Sequence, residues 1–357
     1  MSRSITKGIH LLAKPAFQPL VTGPLLYILL RGPESLREPL VKALSSLPVR
    51  ITPERAITIL KWLVALGAWG RLNSWLNSLA LNAWQIRSRK ADWNWNQEVA
   101  VVTGGCSGIG EVVVNGLTQK GVKVAVLDIQ PLPASLKDYA NLQLYKCDIT
   151  NAASVTETGK AIREKWGPPS ILVNNAGIGS GRNILDIPDE SLHKIFGVNL
   201  LSHFTTVKEF MPDMIEKNKG HIVAVASLAS FVAVPGIADY AATKAGVLAF
   251  HEALNQEIKH RYNTPGILTT IIHPNWTSTP LIRKWEDQIR KASGPLLKAE
   301  DVGNSIVNQI FQCRGAQIII PRNAALISGI RGWPNWMQEK LRDGIGRVRV
   351  KYRPSEG

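Results

Sequence analysis

The stretch that most constrains this chain runs from Val99 to Leu117. Val99-Ala100-Val101-Val102 is a run of apolar β-formers, the pattern of a strand buried on both faces of a parallel sheet. It leads directly into Thr103-Gly104-Gly105-Cys106-Ser107-Gly108-Ile109-Gly110, after which Val112, Val113, Gly116 and Leu117 recur at helical spacing. Strand, glycine-rich turn and helix in that order predict a unit that holds a dinucleotide. Glycines let the backbone approach a pyrophosphate, and a helix N-terminus presents unbonded N–H groups and a partial positive charge. An ordinary βα turn is the plainer reading of the same residues, so the neighbouring segments must decide.

Those segments repeat the alternation. Lys123–Asp128 reads as a second strand, and its terminal acid lies 18 residues beyond Gly110. A carboxylate there hydrogen-bonds the adenosine ribose and repels a 2′-phosphate. No basic residue stands at Cys106, Ser107 or Ile129 to receive that phosphate, so NAD is the expected cofactor, with NADP possible. Leu142–Lys146 forms a third strand ending at Cys147-Asp148-Ile149, 152–166 a helix, and Ile171–Val173 a fourth strand ending at Asn174-Asn175-Ala176-Gly177. Further strands are expected at His221–Ala226, Gly266–His273 and Gln317–Pro321, with a helix at Glu300–Gln312. The expected fold class is α/β: a Rossmann-like doubly wound parallel sheet with helices on both faces, plus N- and C-terminal amphipathic helical extensions.

Tyr240 and Lys244 stand one helical turn apart and share a face. A phenol near pKa ~10 is a poor acid-base catalyst at neutral pH, and an adjacent ammonium favours its ionised form. Alone, such a pair is usually two surface residues. Here it joins Thr103-Gly104-x-x-x-Gly108-Ile109-Gly110, Asp148, Asn174-Asn175-Ala176-Gly177, Asn199 and Ser227. In this order and spacing the set resembles the short-chain dehydrogenase/reductase family over residues 98–321. The resemblance implies that Tyr240 is the acid/base, that Ser227 hydrogen-bonds the substrate oxygen, that Lys244 binds the nicotinamide ribose and lowers the Tyr240 pKa, and that Asn199 holds a water in the proton relay. It implies cofactor contacts from Thr103, Gly104, Ser107, Gly108, Ile109, Gly110, Asp128, Asp148, Ile149, Asn175, Ala176, Gly177, Tyr240 and Lys244, with Asn174 holding the central strand. After the sixth strand, Pro274 and Thr279 match the family pattern, whereas Asn275 replaces Gly and Thr277 replaces Val. Pro274, Thr277 and Thr279 complete the expected cofactor contacts. Residues 276–298 are expected to form an apolar lid, with Trp276, Leu281, Ile282, Trp285 and Leu296.

Charge is concentrated outside this region. Residues 1–97 carry 13 Lys/Arg against 4 Asp/Glu, and residues 322–353 carry 8 against 2, whereas 98–321 is close to neutral. The basic residues of both ends are interleaved with Leu, Ile and Trp, which suits a membrane surface rather than nucleic acid. The apolar stretches Phe17–Leu30 and Ala56–Trp84 contain prolines, Lys61 or a polar face. They read as helices lying in an interface, with Trp62, Trp69, Trp75 and Trp84 at headgroup level. A helical extension packed on the globular domain, and a single tilted span through 56–80, are the other readings. Residues 85–97 read as a polar linker. Three regions are therefore expected: a membrane-associating extension at 1–97, a dehydrogenase domain at 98–321 and an amphipathic tail at 322–357. Three cysteines without C-x-x-C spacing, and scattered histidines, predict neither a disulfide framework nor a metal site.

The two basic, apolar ends resemble the branch of the family with microsomal retinol dehydrogenases and lipid-droplet 17β-hydroxysteroid dehydrogenases. That resemblance implies a lipophilic alcohol of the retinoid, sterol or long-chain class as substrate. It also implies a membrane or lipid-droplet location, at the endoplasmic reticulum or a droplet with the catalytic domain toward the cytosol, and a homo-oligomer. A ketoreductase of a specialised pathway, or a lipid-surface protein without chemistry, are the alternatives.

Overall fold

The computed structural model describes residues 17–46, 51–87 and 89–346. The basic run Arg347, Arg349, Lys351 and Arg353 lies outside them. The chain divides into two compact units, residues 1–80 and 81–357.

In the first unit, α1 spans Pro19–Arg31, α2 Glu34–Ser45 and α3 Pro53–Leu81. Pro19 opens α1, where a missing N–H costs nothing. A Cβ on Gly67 of α3 would overlap the Phe17 carbonyl, so α3 crosses the start of α1 at closest approach there. Along α3 the apolar Ile59, Trp62, Leu66, Trp69 and Leu76 are exposed, interleaved with exposed Lys61, Arg71 and Asn73. No described helix is long and apolar enough to cross a membrane.

The second unit is a seven-stranded parallel sheet. Its strands are β1 (Val99–Thr103), β2 (Lys123–Asp128), β3 (Leu142–Lys146), β4 (Ile171–Asn174), β5 (Gly220–Val225), β6 (Ile267–Pro274) and β9 (Ala316–Ile320), in the order β3-β2-β1-β4-β5-β6-β9. Two short strands, β7 (Thr277–Ser278) and β8 (Leu297–Lys298), pair with each other. The boundaries of β5, β6 and β9 differ from the expected ones by a single residue. Side chains alternate across the sheet with period two, and this divides the core. Ala100, Val102, Val124 and Val126 pack on one face with Val113 and Leu117 of α4 (Gly108–Thr118), together with Val302 and Ile306. Val99, Val101, Ala125 and Leu127 pack on the other, with Ile162 of α5 (Ala152–Trp166), Phe210 and Leu254. Strands buried on both faces are why the sequence reads as continuous apolar runs.

On that second face α6 (Asp189–Phe196) runs through a five-residue π-helical turn, Gly197–Leu201, into α7 (Ser202–Glu216). Helix α8 (Ala238–His260) follows β5. Helices α9 (Glu286–Ser293) and α10 (Ala299–Phe311) lie between β7 and β9, and α11 (Asn335–Gly346) is last. Arg163 ties α5 to α7 through Glu209 (2.6 Å) and Asp213 (2.9 Å).

Two segments pack differently from the sequence reading. Residues 85–97 are not simply a polar linker: Trp93 is buried in the core, and Trp95 packs on the Phe311 ring at 4.3 Å. Several apolar residues of the tail also face inward. Ile330 is fully buried with Leu228, Phe231 and Val232, and Trp333, Leu341 and Ile345 pack around them. Helical spacing identified the apolar stripe of the tail, but not that the protein itself covers much of it.

Candidate active site

The order of the strands reverses between β1 and β4, which opens a crevice at their carboxyl ends. Gly104 has φ +64°, and a Cβ there would come 2.8 Å from Ala176 Cα. A side chain at Gly110 would overlap the Gly104 carbonyl. The turn therefore lies flat against the end of β4, with Ser107 as N-cap and Gly108, Ile109 and Gly110 as the first turn of α4. This bare, N–H-rich cradle is what a pyrophosphate requires.

Side chains lock the cradle. Thr103 Oγ1 accepts from the Asn175 and Ala176 N–H groups, both at 3.1 Å. Asn175 Nδ2 donates to the carbonyls of Thr103 (3.1 Å) and Gly104 (2.9 Å). Asn175 thus ties the glycine turn to β4, while Asn174 ties β4 to the helix behind it. Adjacent residues point in different directions, and Asn174 instead accepts from Thr206 Oγ1 of α7 at 2.9 Å. Asp128 accepts from Cys106 N (2.9 Å) and Gln130 N (3.0 Å), so it shapes the turn from the end of β2. Burial and this carboxylate push the Cys106 thiol up to about 12. Asp148 is exposed beyond β3 and accepts from Thr150, while Ile149 beside it is buried.

The expected catalytic residues converge on the adjacent edge. Ser227 follows β5 in extended backbone (φ −166°, ψ 163°). Its hydroxyl accepts from Ala229 N at 3.2 Å and lies 3.5 Å from the Pro274 carbonyl oxygen. Lys244 Nζ lies 5.6 Å from the Tyr240 ring centroid and donates to the Val225 carbonyl at 2.8 Å. Asn199 is fully buried in the π turn. Its Oδ1 accepts from Ile178 N (2.8 Å), and its Nδ2 donates to the Ile178 carbonyl (2.9 Å) and Thr243 Oγ1 (3.2 Å). A Cβ on Gly177 would lie 3.5 Å from Asn199 Oδ1 and 3.7 Å from Lys244 Nζ, so Gly177 lies beside both groups.

The electrostatics differ from the expectation for Lys244. Burial pushes the Tyr240 phenol up to about 12, and the Ser227 hydroxyl offsets this only in part. Burial also lowers Lys244 to about 8. In the chain alone, desolvation dominates both groups.

Beyond β6, Asn275 keeps a negative φ and donates its N–H to the Ile320 carbonyl at 2.8 Å, so the turn does not need the family's glycine. Pro274 ends β6. Thr277 Oγ1 donates to the Asn275 carbonyl at 2.8 Å, and Thr279 approaches the glycine turn, where a Cβ on Gly108 would lie 3.3 Å from it. The lid is closed at its base by β7 and β8. Leu281 reaches Gly179, and Ile282 and Ile289 are buried.

Several contributors carry no sequence signal. Ser230 Oγ donates to the Lys244 carbonyl at 2.8 Å. Asp239 accepts from Ser180 Oγ at 2.5 Å. Arg331 donates to the Ser230 carbonyl at 3.0 Å. His273 lies behind Ser227. Each pairs residues distant in sequence, and only the fold brings them together.

A doubly wound sheet with this cradle, and Ser, Tyr and Lys along its carboxyl edge, defines a nucleotide-dependent oxidoreductase. The family model described as short chain dehydrogenase matches residues 98–290, and the chain belongs to that family. It is an enzyme of that class, and as such uses a nicotinamide cofactor. Dehydrogenase RED2 of Cochliobolus heterostrophus is 43% identical over 210 residues, covering 59% of this chain and 78% of that protein. Retinol dehydrogenase 10-B of Xenopus laevis is 33% identical over 254 residues, covering 62% and 73%. Among solved structures, an actinorhodin polyketide ketoreductase with NADPH superposes with TM-score 0.56 at 26% identity, covering 63% of this chain and 96% of that one.

Proposed function

We propose that this enzyme interconverts a lipophilic alcohol of the retinoid, sterol or long-chain class and its carbonyl, with NAD preferred over NADP. The observation that carries the reading is half-buried Ser227 and Tyr240 grouped with the buried Lys244, beside an apolar lid. When bound, the nicotinamide group supplies or accepts the hydride at the carbinol carbon. Tyr240 moves the proton at the substrate oxygen, and Ser227 steadies that oxygen without competing for the proton. Lys244 brings positive charge beside the phenol. The side chain of Asn199 is engaged by Ile178 and Thr243, which leaves the backbone of the π turn to hold the relay water. Asp128 favours NAD through its carboxylate at the end of β2.

We assign the work to a membrane or lipid-droplet surface, endoplasmic reticulum or droplet, with the catalytic domain toward the cytosol. The exposed apolar residues of α3, the basic charge of the ends and the similarity to a retinol dehydrogenase support this. A homo-oligomer through 189–217 and 239–262 would cover Leu201 and Phe204, which are exposed.

The test is turnover of all-trans-retinol, estradiol and 1-dodecanol in neutral micelles with NAD and with NADP. At least one alcohol should be oxidised. Tyr240→Phe should keep NADH binding and lose turnover by about a hundredfold or more. Undiminished turnover in that variant would sink the assignment of Tyr240. The 26% identity to a polyketide ketoreductase favours a second reading, reduction of a pathway ketone. Product analysis with aromatic polyketones separates the two.

A further inference from the structure

We propose that His273 is a positioning residue for this reaction, holding the carbonyl of Ser227 from behind so that the Ser227 hydroxyl meets Tyr240. The inference rests on the catalytic reading of Ser227 given above. His273 is the penultimate residue of β6, the strand beside β5, and it is fully buried. Its Nδ1 lies 3.1 Å from the Ser227 carbonyl oxygen. A carbonyl can only accept, so Nδ1 carries the hydrogen and Nε2 is the acceptor. Gln317 on the neighbouring strand β9 presents its Nε2 to that acceptor at 3.4 Å. The Phe231 ring packs on the imidazole with centroids 4.6 Å apart. One amide thus selects the tautomer, one ring blocks rotation, and the remaining N–H is aimed at a single atom.

That atom belongs to the residue whose hydroxyl must be placed. Ser227, with Ala226, joins the end of β5 to the turn Leu228–Ser230, and its own Oγ is bonded to the Ala229 N–H within that turn. Rotation of the Ser227 peptide would move the hydroxyl away from the phenol. Ser230 anchors the far end of the turn to Lys244, and His273 anchors the near end. A hydroxyl displaced by even ~1 Å loses much of its effect on a transition state.

The experiment compares His273→Asn with His273→Gln. An Asn amide nitrogen reproduces the Nδ1 donor toward Ser227, whereas a Gln amide reaches the Nε2 position near Gln317. With the panel alcohol of highest turnover, His273→Asn should hold kcat within about threefold, and His273→Gln should lose tenfold or more. KM for NAD should stay within about twofold in both. A structural role alone would impair the two equally, and that result, or an unimpaired Gln variant, overturns the proposal. Independently, nitrogen NMR of histidine-labelled wild type without cofactor should show His273 as the Nδ1–H tautomer. An Nε2–H tautomer overturns the positioning role alone. Failure of wild type to turn over any panel alcohol overturns the catalytic reading and the positioning role with it.

Discussion

Asp128 illustrates how one side chain can serve two ends. Its carboxylate accepts from Cys106 and Gln130, which shapes the glycine turn, and in the proposed reading it also favours NAD from the end of β2. Asp128→Ala should therefore do two things. The NADP-to-NAD ratio of kcat/KM should rise by tenfold or more, and stability should fall by about 1–3 kcal/mol as two N–H groups lose their acceptor. Steady-state kinetics with both cofactors, beside a denaturation curve, check this; an unchanged ratio would leave Asp128 a purely structural residue. Gly104 is the simpler case. At φ +64° and 2.8 Å from Ala176 Cα there is no room for Gly104→Ala, which should abolish NADH binding measured by fluorescence.

The segment after β9 takes part in the catalytic domain. Ile330 is fully buried against Leu228, Phe231 and Val232, immediately beyond Ser227, and Arg331 grips the Ser230 carbonyl. Ile330→Ala should cost about 2–5 kcal/mol. It should also slow turnover more than Arg163→Ala, which loosens α5 from α7 far from the chemistry. Equal kinetics in the two variants would show that the segment only stabilises. The same segment exposes Leu326, Trp336 and Met337, so an interfacial role for its outer face stays compatible with its inner one.

The whole chain should be sensitive to acid. Burial holds His203 and His221 at about 3 and His251 and His273 at about 4, against an ordinary 6.5. Below 6.5 the unfolded chain takes up protons that the folded chain refuses, so stability falls as pH falls through that window. Each group contributes about 1.4 kcal/mol per pH unit down to its folded value. Unfolding midpoints measured from about pH 8 to about pH 5 should drop steeply below about 6.5; a flat profile would contradict neutral burial. At the first unit, Trp62 and Trp69 are each 66% exposed on α3. The double variant Trp62→Glu/Trp69→Glu should bind vesicles of phosphatidylcholine and phosphatidylserine at least about tenfold more weakly, with turnover of a micellar substrate retained. Undiminished vesicle binding would point to another surface.

The parallel sheet, its glycine turn and the Ser227–Tyr240–Lys244 set were legible from Val99 onward because local chemistry suffices for them. Buried strands must be apolar, the cradle must be bare, and Tyr240 and Lys244, the proposed acid/base pair, share one helical face. The clamp of the glycine turn by Asn175, the inward packing of Trp93 and Ile330, and the support of Ser227 by His273 were not legible. Each depends on which residues from distant segments meet, and on where a one-residue change of direction points a side chain. The sequence by itself determined that Tyr240 has a cradle and a lysine to work with. Only the tertiary structure decided that burial raises that phenol, because desolvation is a property of everything packed around it.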